Sequence, residues 1–501
     1  MTDRRFEAGA DNKPEASLLQ AAVAGTALVI RGGKQLGSFK AQRANNNLDV
    51  ALYRDRLYLA WRTAPTHFAS PRTRISVVSA PVRELVQWVT EHLGPERPAF
   101  VDTSGSHPHR LQPSARGSQG PSTFPPCELE LSWRDELDLA LGADLREPRF
   151  VVYGGKLHFY FFEAGTKPWT FEPRRVLHVA CDPSGWSEIS EVFGKGTVLW
   201  RARVVGDRIL ASIYTGGDGA YSWRAEATSV HLVASRDGLS FETLWEGEAN
   251  KAVHAGGSEA DFLPIAQSPN GEGWSVAWDS STGLLRETRH FLFVVRIEGP
   301  AGGWGGEAFV FDSVEKKIVD SWWFAHKPDS PLLFIGPGGH PYLIARRSLG
   351  PPYDLAAVLP PLRLLGPVER THLCRLGWWI TPKRTSIYRI GLTDRSGVPA
   401  ISNVERILDL PSAGDTCFPA VLPAYSLQAA EGSTAGAGAS NSFRTEQPLW
   451  PIPGEVFLVF DYSTPVREDR LGALRALFPW VVGQLSPTSV FLHLVSVRSG
   501  G

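Results

Sequence analysis

Residues 228–245, TSVHLVASRDGLSFETLW, begin as a strand, break at Asp237-Gly238 and resume with the apolar residues Phe241, Leu244 and Trp245. The break has a local physical logic. An aspartate side chain accepts hydrogen bonds from the amides of its own turn, glycine takes the left-handed position, and the aromatic that follows packs between neighbouring strands. Five further segments also start polar and then alternate or run apolar: TRISVVSA (73–80), RRVLHVACDPSGWSEISEVF (174–193), RHFLFVVRIEG (289–299), RTSIYRIGLTD (384–394) and TSVFLHLVSV (488–497).

Each of these segments follows a second kind of unit: an acidic or polar residue, a short strand, a Gly-containing turn and an aromatic-rich strand. NLDVALYRDRLYLAWRT (47–63), REPRFVVYGGKLHFYFFEAG (146–165), LWRARVVGDRILASIYTGG (199–217) and SEADFLPIAQSPNGEGWSVAWDS (258–280) are the clearest. DSPLLFIGPGGHPYLIARRS (329–348) is looser, and GDTCFPAVLP (414–423) is completed only by GEVFLVFDYS (454–463). Turns such as Gly154-Gly155 and Gly206-Asp207 supply the positive φ that a tight hairpin needs. A hairpin plus a following strand is most of a propeller blade. The repeats predict an all-β fold, a six-bladed β-propeller with a five-bladed ring as the alternative.

Composition agrees. The chain has 501 residues with 17 Trp, 25 Phe, 49 Gly and 38 Pro, a balance that favours short strands and tight turns over long helices. Residues 1–44 read as a partly disordered N-terminal extension and 45–501 as the propeller, with inserts near 104–126 and 427–448. VRELVQWVTEHL (82–93) and REDRLGALRALFPWVV (467–482) have helix-like apolar spacing. The balance of 51 basic and 52 acidic residues gives a net charge of -1, so no basic field exists to attract a phosphate backbone, and nucleic acid is excluded as a partner. The apolar run AAVAGTALVI (21–30) is too short for a membrane span and meets no signal-peptide criterion, which predicts a cytoplasmic protein. Cys127, Cys181, Cys374 and Cys417 lack zinc-site spacing, and no cofactor is expected. GGWGG (302–306) follows no phosphate-loop pattern.

In a propeller the first strand of each blade lines the central funnel, so residues at strand ends converge from different blades. The leading polar positions are Asp49, Glu147, Arg201, Glu259, His326 with Asp329, and Asp415; the trailing ones are Arg62, Glu163, Tyr214, Asp279, Arg346 and Asp461. Desolvated carboxyls close together acquire separated pKa values, and arginines bind anionic groups in a fork. That is glycosidase or acidic-sugar chemistry. Carboxylates converging on a propeller axis can also hold Ca²⁺, but without a ligand loop no metal is expected.

SRDGLSF, with Ser235, Asp237, Gly238 and Phe241, resembles the Asp-box of the sialidase (neuraminidase) superfamily, S-x-D-x-G-x-x-W or its shortened form S-x-D-G-x-x-W, and DPSGW (182–186) is similar to a degenerate copy. The resemblance implies a structural staple between the third and fourth strands of a blade. Sialidases hold the substrate carboxylate with three arginines, attack with a tyrosine activated by a glutamate, and use an aspartate as acid/base. GDTCFP (414–419) resembles the GDT-x-YP stretch of sialidase-like bacterial proteins, with Phe418 where the tyrosine would be sought. Phenylalanine has no hydroxyl, so Tyr425 or Tyr462 would have to serve. Asp461 stands near where the partner glutamate would be, Glu259 matches the strand-leading glutamate, and Trp278-Asp279 replaces the arginine expected after the next strand. Arg62 in RTAP is loosely similar to the RIP signature, and Arg346 or Arg347 supplies one further guanidinium.

The expectation is therefore a sialidase-like glycoside hydrolase. Asp49, Glu259, Asp415 and Asp461 are its acid/base or electrostatic groups, and Arg62, Glu147, Arg201, Asp279, His326 and Arg346 contact the substrate, a carbohydrate or other small polar ligand. The alternative is a catalytically silent propeller that binds a carbohydrate or protein partner.

Overall fold

The structure, a computed structural model, describes residues 19–92, 127–168, 170–216, 228–244, 252–268, 273–279, 284–299, 303–324, 327–348, 364–412, 416–423, 456–464 and 485–499. Strand β1 (Leu19–Ile30) belongs to the sheet that closes the molecule. After it, five blades are each formed from a consecutive run of chain, ordered from the axis outward. Blade one is β2 (Ala44–Tyr53), β3 (Arg56–Ala64), β4 (Arg74–Pro81) and β5 (Arg134–Leu139); blade two is β6 (Asp144–Tyr153), β7 (Lys156–Ala164), β8 (Pro173–Asp182) and β9 (Ser190–Phe193). Blade three is β10 (Val198–Val205), β11 (Arg208–Thr215), β12 (Ser229–Ser235) and β13 (Glu242–Thr243); blade four is β14 (Gly257–Gln267), β15 (His290–Gly299), β16 (Gly303–Asp312) and β17 (Lys317–Trp323). Blade five is β18 (Asp329–Ile335), β19 (Pro341–Ser348), β20 (Lys383–Arg395) and β21 (Val398–Asp409). The closing sheet is composite: β22 (Thr416–Pro423), β23 (Val456–Ser463) and β24 (Ser489–Ser499) are joined by β1, which pairs antiparallel with β24 from Leu19↔Ser499 to Ile30↔Val490.

The first strands pack on one another in turn, β2 on β6, β6 on β10, β10 on β14, β14 on β18, β18 on β22 and β22 on β2. The ring is thus closed. It is a β-propeller of five blades, the alternative count of the sequence reading in place of its leading six, with one further sheet that unites β1 with the last three strands and also takes in Cys127–Glu128 from the run of blade one. Middle strands are covered on both faces by the neighbouring blades, which is why β7 reads LHFYFFEA and β15 reads FLFVV as continuous apolar runs instead of alternating. Phe159, Phe161, Phe162, Phe291 and Phe293 are all buried, each contributing about 1.5–3 kcal/mol. Gly154 and Gly155 have φ of 58° and 73° in the β6–β7 hairpin, the left-handed values read from the sequence.

Two sequence expectations are corrected, and two elements are added. Residues 19–30, assigned to an N-terminal extension, are the fourth strand of the closing sheet. His290–Gly299 is the second strand of blade four, pairing with β14, whereas Trp274–Val276, taken as that partner, pairs only with Ile265–Gln267. Gly303–Gly306 opens the third strand of the same blade. A helix the sequence reading missed, α2 (Pro367–Ile380), follows Gly366 with proline in its first turn; α1 (Val82–His92) is the helix expected after β4. The inserts 104–126 and 427–448 and the helical segment 467–482 lie outside the described residues.

Candidate functional site

Every first strand carries one extra residue near its start. The register of β2 breaks between Asn46 and Leu48, that of β10 between Leu199 and Arg201, and that of β14 between Gly257 and Ala260. In β18 it breaks between Asp329 and Leu332, in β22 between Cys417 and Ala420, and in β6 between Arg146 and Arg149. A bulge of this kind turns a side chain away from the ladder and toward the end of the sheet. Several bulge residues have positive φ: Asn47 44°, Glu147 51°, Ser330 53°, Cys417 93° and Phe418 53°. The repeated bulge thus builds a ring of re-aimed side chains at the face where the first strands begin.

Two glutamates are central to that ring. Glu147 accepts from Asn47 Nδ2 (2.6 Å) and from Arg149 Nη2 (3.1 Å). Burial raises its pKa to about 7; Arg149 opposes the rise, and the charge of Glu259 adds to it. Glu259, on β14, pairs with Arg296 Nη1 at 2.8 Å and accepts the Ser330 amide at 2.7 Å. Arg296, at the end of the second strand, stands where the sequence reading sought an arginine and found Trp278-Asp279. Once β15 is the second strand, its arginine is the one that faces Glu259.

The remaining candidates serve the scaffold. Arg62 is fully buried: Nη2 donates to Asp144 Oδ1 at 2.7 Å, with further bonds to Asn46 Oδ1 and the Phe68 carbonyl. Against burial, Arg146 and Arg62 hold Asp144 below the usual carboxylate range. Arg62 therefore ties blade one to blade two and is not an open anion binder. Asp49 accepts the Phe150 amide of blade two at 2.8 Å; burial raises its pKa against the pull of Arg149 and Arg201. Asp261, two residues beyond Glu259, makes the same stitch to the Leu333 amide of blade five at 2.6 Å.

Asp461 is fully buried on β23 and accepts the Cys417 amide at 3.0 Å, which pins the bulge of β22; burial raises its pKa to about 7 against hydrogen bonds that include the Thr385 hydroxyl. Arg346 lies 3.6 Å from Asp329 and 5.4 Å from the Trp378 ring of α2. Trp378 Nε1 donates to Asp329 Oδ2 at 2.9 Å, so the helix is fastened to the first strand of blade five. Asp279 sits in a two-residue strand paired with Leu284–Leu285, and Leu285 abuts Val205 at the far end of β10 from the bulges. It does not join the others. Asp415 and His326 lie outside the described residues.

The axis is filled just inside the bulge ring. Trp200 from blade three is 1% exposed, and its ring meets Phe418 of the closing sheet at 5.6 Å while Nε1 donates to the Pro331 carbonyl of blade five at 3.3 Å. Arg201 Nη2 donates to the Pro419 carbonyl at 3.2 Å, and burial lowers its pKa to about 9, with Arg149 adding to the fall. Phe418 stacks on Tyr462, which lies 6.1 Å from His67. The sequence placed acids and arginines around a funnel; the structure adds the aromatic floor that closes it.

At the opposite face, Ser235, Asp237 and Gly238 form the turn between β12 and β13. Asp237 Oδ1 accepts the Leu239 amide at 2.8 Å and the Ser240 amide at 2.7 Å, and Ser235 Oγ accepts the Gly238 amide at 2.9 Å. Against slight burial, the Ser240 and Leu239 amides hold Asp237 well below its usual range. Gly238 has φ of 78°, and a Cβ there would sit 2.4 Å from His158. Phe241 packs on Tyr160 and Phe193, a local staple with no route to the ring.

No protein-family model matches the chain, and no curated protein matches it. Among solved structures, it is similar to a protein of unknown function from Dyadobacter fermentans DSM 18053, with a TM-score of 0.45 and 10% identity over 95% of this chain and 99% of that one. It is similar to the Trypanosoma rangeli sialidase in complex with sialic acid, with a TM-score of 0.45 and 8% identity over 96% of this chain; that match spans 58% of the sialidase. A family 117 glycoside hydrolase from Zobellia galactanivorans gives a TM-score of 0.32 and 10% identity over 66% of this chain and 85% of its own.

Proposed function

We propose that this propeller is a glycoside hydrolase whose chemistry runs on the bulge-ring carboxyls and not on a sialidase-type tyrosine. The observation that carries the reading is a pair of buried carboxyls in the bulge ring, Glu147 held by Asn47 and Arg149 and Glu259 held by Arg296 and the Ser330 amide. Burial and the charge of Glu259 raise the pKa of Glu147 to about 7, against the pull of Arg149. A protonated carboxyl next to an ionised one is the division of labour that glycoside cleavage needs. Glu147 gives its proton to the glycosidic oxygen as the bond to the anomeric carbon breaks. Glu259 stabilises the positive charge on the ring, and the water that adds to the anomeric carbon returns its proton to Glu147.

The test is a panel of fluorogenic glycosides assayed with wild type and Glu147→Gln. Turnover that is lost as pH rises through about 7, and that falls at least 100-fold in Glu147→Gln, is expected; absence of turnover on every sugar overturns the reading.

A second reading, a silent propeller that binds a glycan without cleaving it, is favoured by Phe418, which brings a hydrocarbon ring to the axis where a nucleophilic hydroxyl would be sought. Binding without hydrolysis in the same panel supports it.

A further inference from the structure

Resting on the bulge ring as a glycoside site, we infer that the sugar it takes is neutral, selected by the orphaned amide and hydroxyl groups of Asn46, Asn47 and Ser330 and not by arginine. Asn46 Nδ2, Asn47 Oδ1 and Ser330 Oγ are fully buried and have no hydrogen-bond partner among the described residues. They are not scattered. Asn47 Nδ2 donates to Glu147 and the Ser330 amide donates to Glu259, so two of the orphaned groups flank the glutamates from blades one and five, and Asn46, whose Oδ1 accepts from Arg62, precedes Asn47 in the same bulge. A buried polar atom without a partner calls for a ligand or an ordered water.

Their chemistry is specific: one donor, one acceptor and one hydroxyl that serves as both. Sugar hydroxyls, each a donor and an acceptor, match that set. A carboxylate offers only acceptors.

The guanidiniums that would receive an acidic sugar are already engaged. Arg62 is held by Asp144, Arg149 by Glu147 and the Trp200 carbonyl, Arg296 by Glu259 and Ser258, and Arg346 by Asp329 and the Trp378 ring. Arg201 differs: Nη2 donates to the Pro419 carbonyl and Nε has no partner among the described residues, while Asp49 and Asp261 act on its charge. A sugar carboxylate entering the ring would meet the charge of Glu259, and Arg201, the one of these guanidiniums without an ion pair among the described residues, already has those two aspartates acting on it; like charges in an enclosed site repel strongly.

The experiment is titration calorimetry of the full chain at pH 7 with matched pairs that differ only at C6, galactoside against galacturonide and glucoside against glucuronide, together with a sialoside. At least one neutral member is expected to bind tenfold or more tightly than its uronide and than the sialoside. Asn47→Gly and Ser330→Gly remove the side chains while keeping φ of 44° and 53°, values glycine adopts freely; each is expected to weaken the neutral ligand about tenfold. A thermal melt checks that they fold. If one does not, the matched pairs with wild type and the other variant still decide.

A uronide or sialoside that binds as tightly as its neutral counterpart overturns the inference, as does unchanged affinity in both folded glycine variants, or no binding by any member of the series. The two proposals fail separately: neutral binding without turnover removes hydrolysis and leaves the selectivity, whereas turnover confined to acidic sugars leaves hydrolysis and removes the selectivity.

Discussion

Glu147 concentrates the physics of the site in one residue. Its φ of 51° is a conformation an L-residue adopts at a cost of order 1 kcal/mol or more. The bulge that imposes it aims the carboxyl away from the ladder. Two donors favour its ionised form while burial and Glu259 favour the proton, and the balance falls near neutrality. The consequence for stability has a definite sign. With a folded pKa of about 7 against an ordinary 4.5, the folded state keeps a proton that the unfolded chain releases, so stability falls as pH rises through that window. Wild type is expected to lose about 3 kcal/mol relative to Glu147→Gln between pH 4.5 and pH 7, read as the pH dependence of urea unfolding. The orphaned Asn47 Oδ1 can turn to accept from the new amide, so the variant should fold. Equal slopes for the two proteins would show that Glu147 titrates alike in the folded and unfolded chain. Sequence marked Glu147 and Glu259 as strand-leading acids, but not Arg296, because its position depends on which later strand pairs with β14.

At the scale of the element, local chemistry was most legible where the chain satisfies itself. The Asp237 turn closes on itself between Ser235 and Phe241, with aspartate bonding two amides and glycine at φ of 78°, and only its aromatic reaches out, to Tyr160 and Phe193 of blade two. Asp237→Ala is expected to destabilise the fold by about 1–2 kcal/mol in thermal or chemical unfolding, with no change in ligand affinity because the turn lies at the face opposite the bulges. A change in affinity would place the turn in the site. Elements whose partners are distant were misread. Trp274–Val276 has the same aromatic pattern as a second strand, yet His290–Gly299 takes the pairing. Helix α2 opens with Pro367 in its first turn, where a missing N–H costs nothing. Its anchor, Trp378 to Asp329, joins residues that no local pattern connects.

The whole molecule is held shut by one sheet. β1 pairs with β24 along its full length, and Ala27, Val29 and Ile30 are completely buried, so the N-terminal strand locks a ring whose other blades are each continuous. Deletion of residues 1–30 exposes the edge of β24 and removes those side chains. A loss of about 5 kcal/mol or of the cooperative transition itself is expected, measured by circular dichroism melting with size-exclusion chromatography to detect edge-to-edge association. An unchanged melting temperature would show that the ring closes without it. The sequence by itself determined the strand-turn-strand rhythm, the all-β propeller and the polar character of the first-strand ends, because hairpin turns, apolar runs and the aspartate staple are written in contiguous residues. Tertiary structure alone decided that Leu19–Ile30 closes the ring, that each first strand bulges at one level, that Trp200 and Phe418 fill the axis, and that most of the candidate acids and arginines bind one another. Those outcomes depend on which distant residues meet, and a partner a hundred or more positions away leaves no local signal.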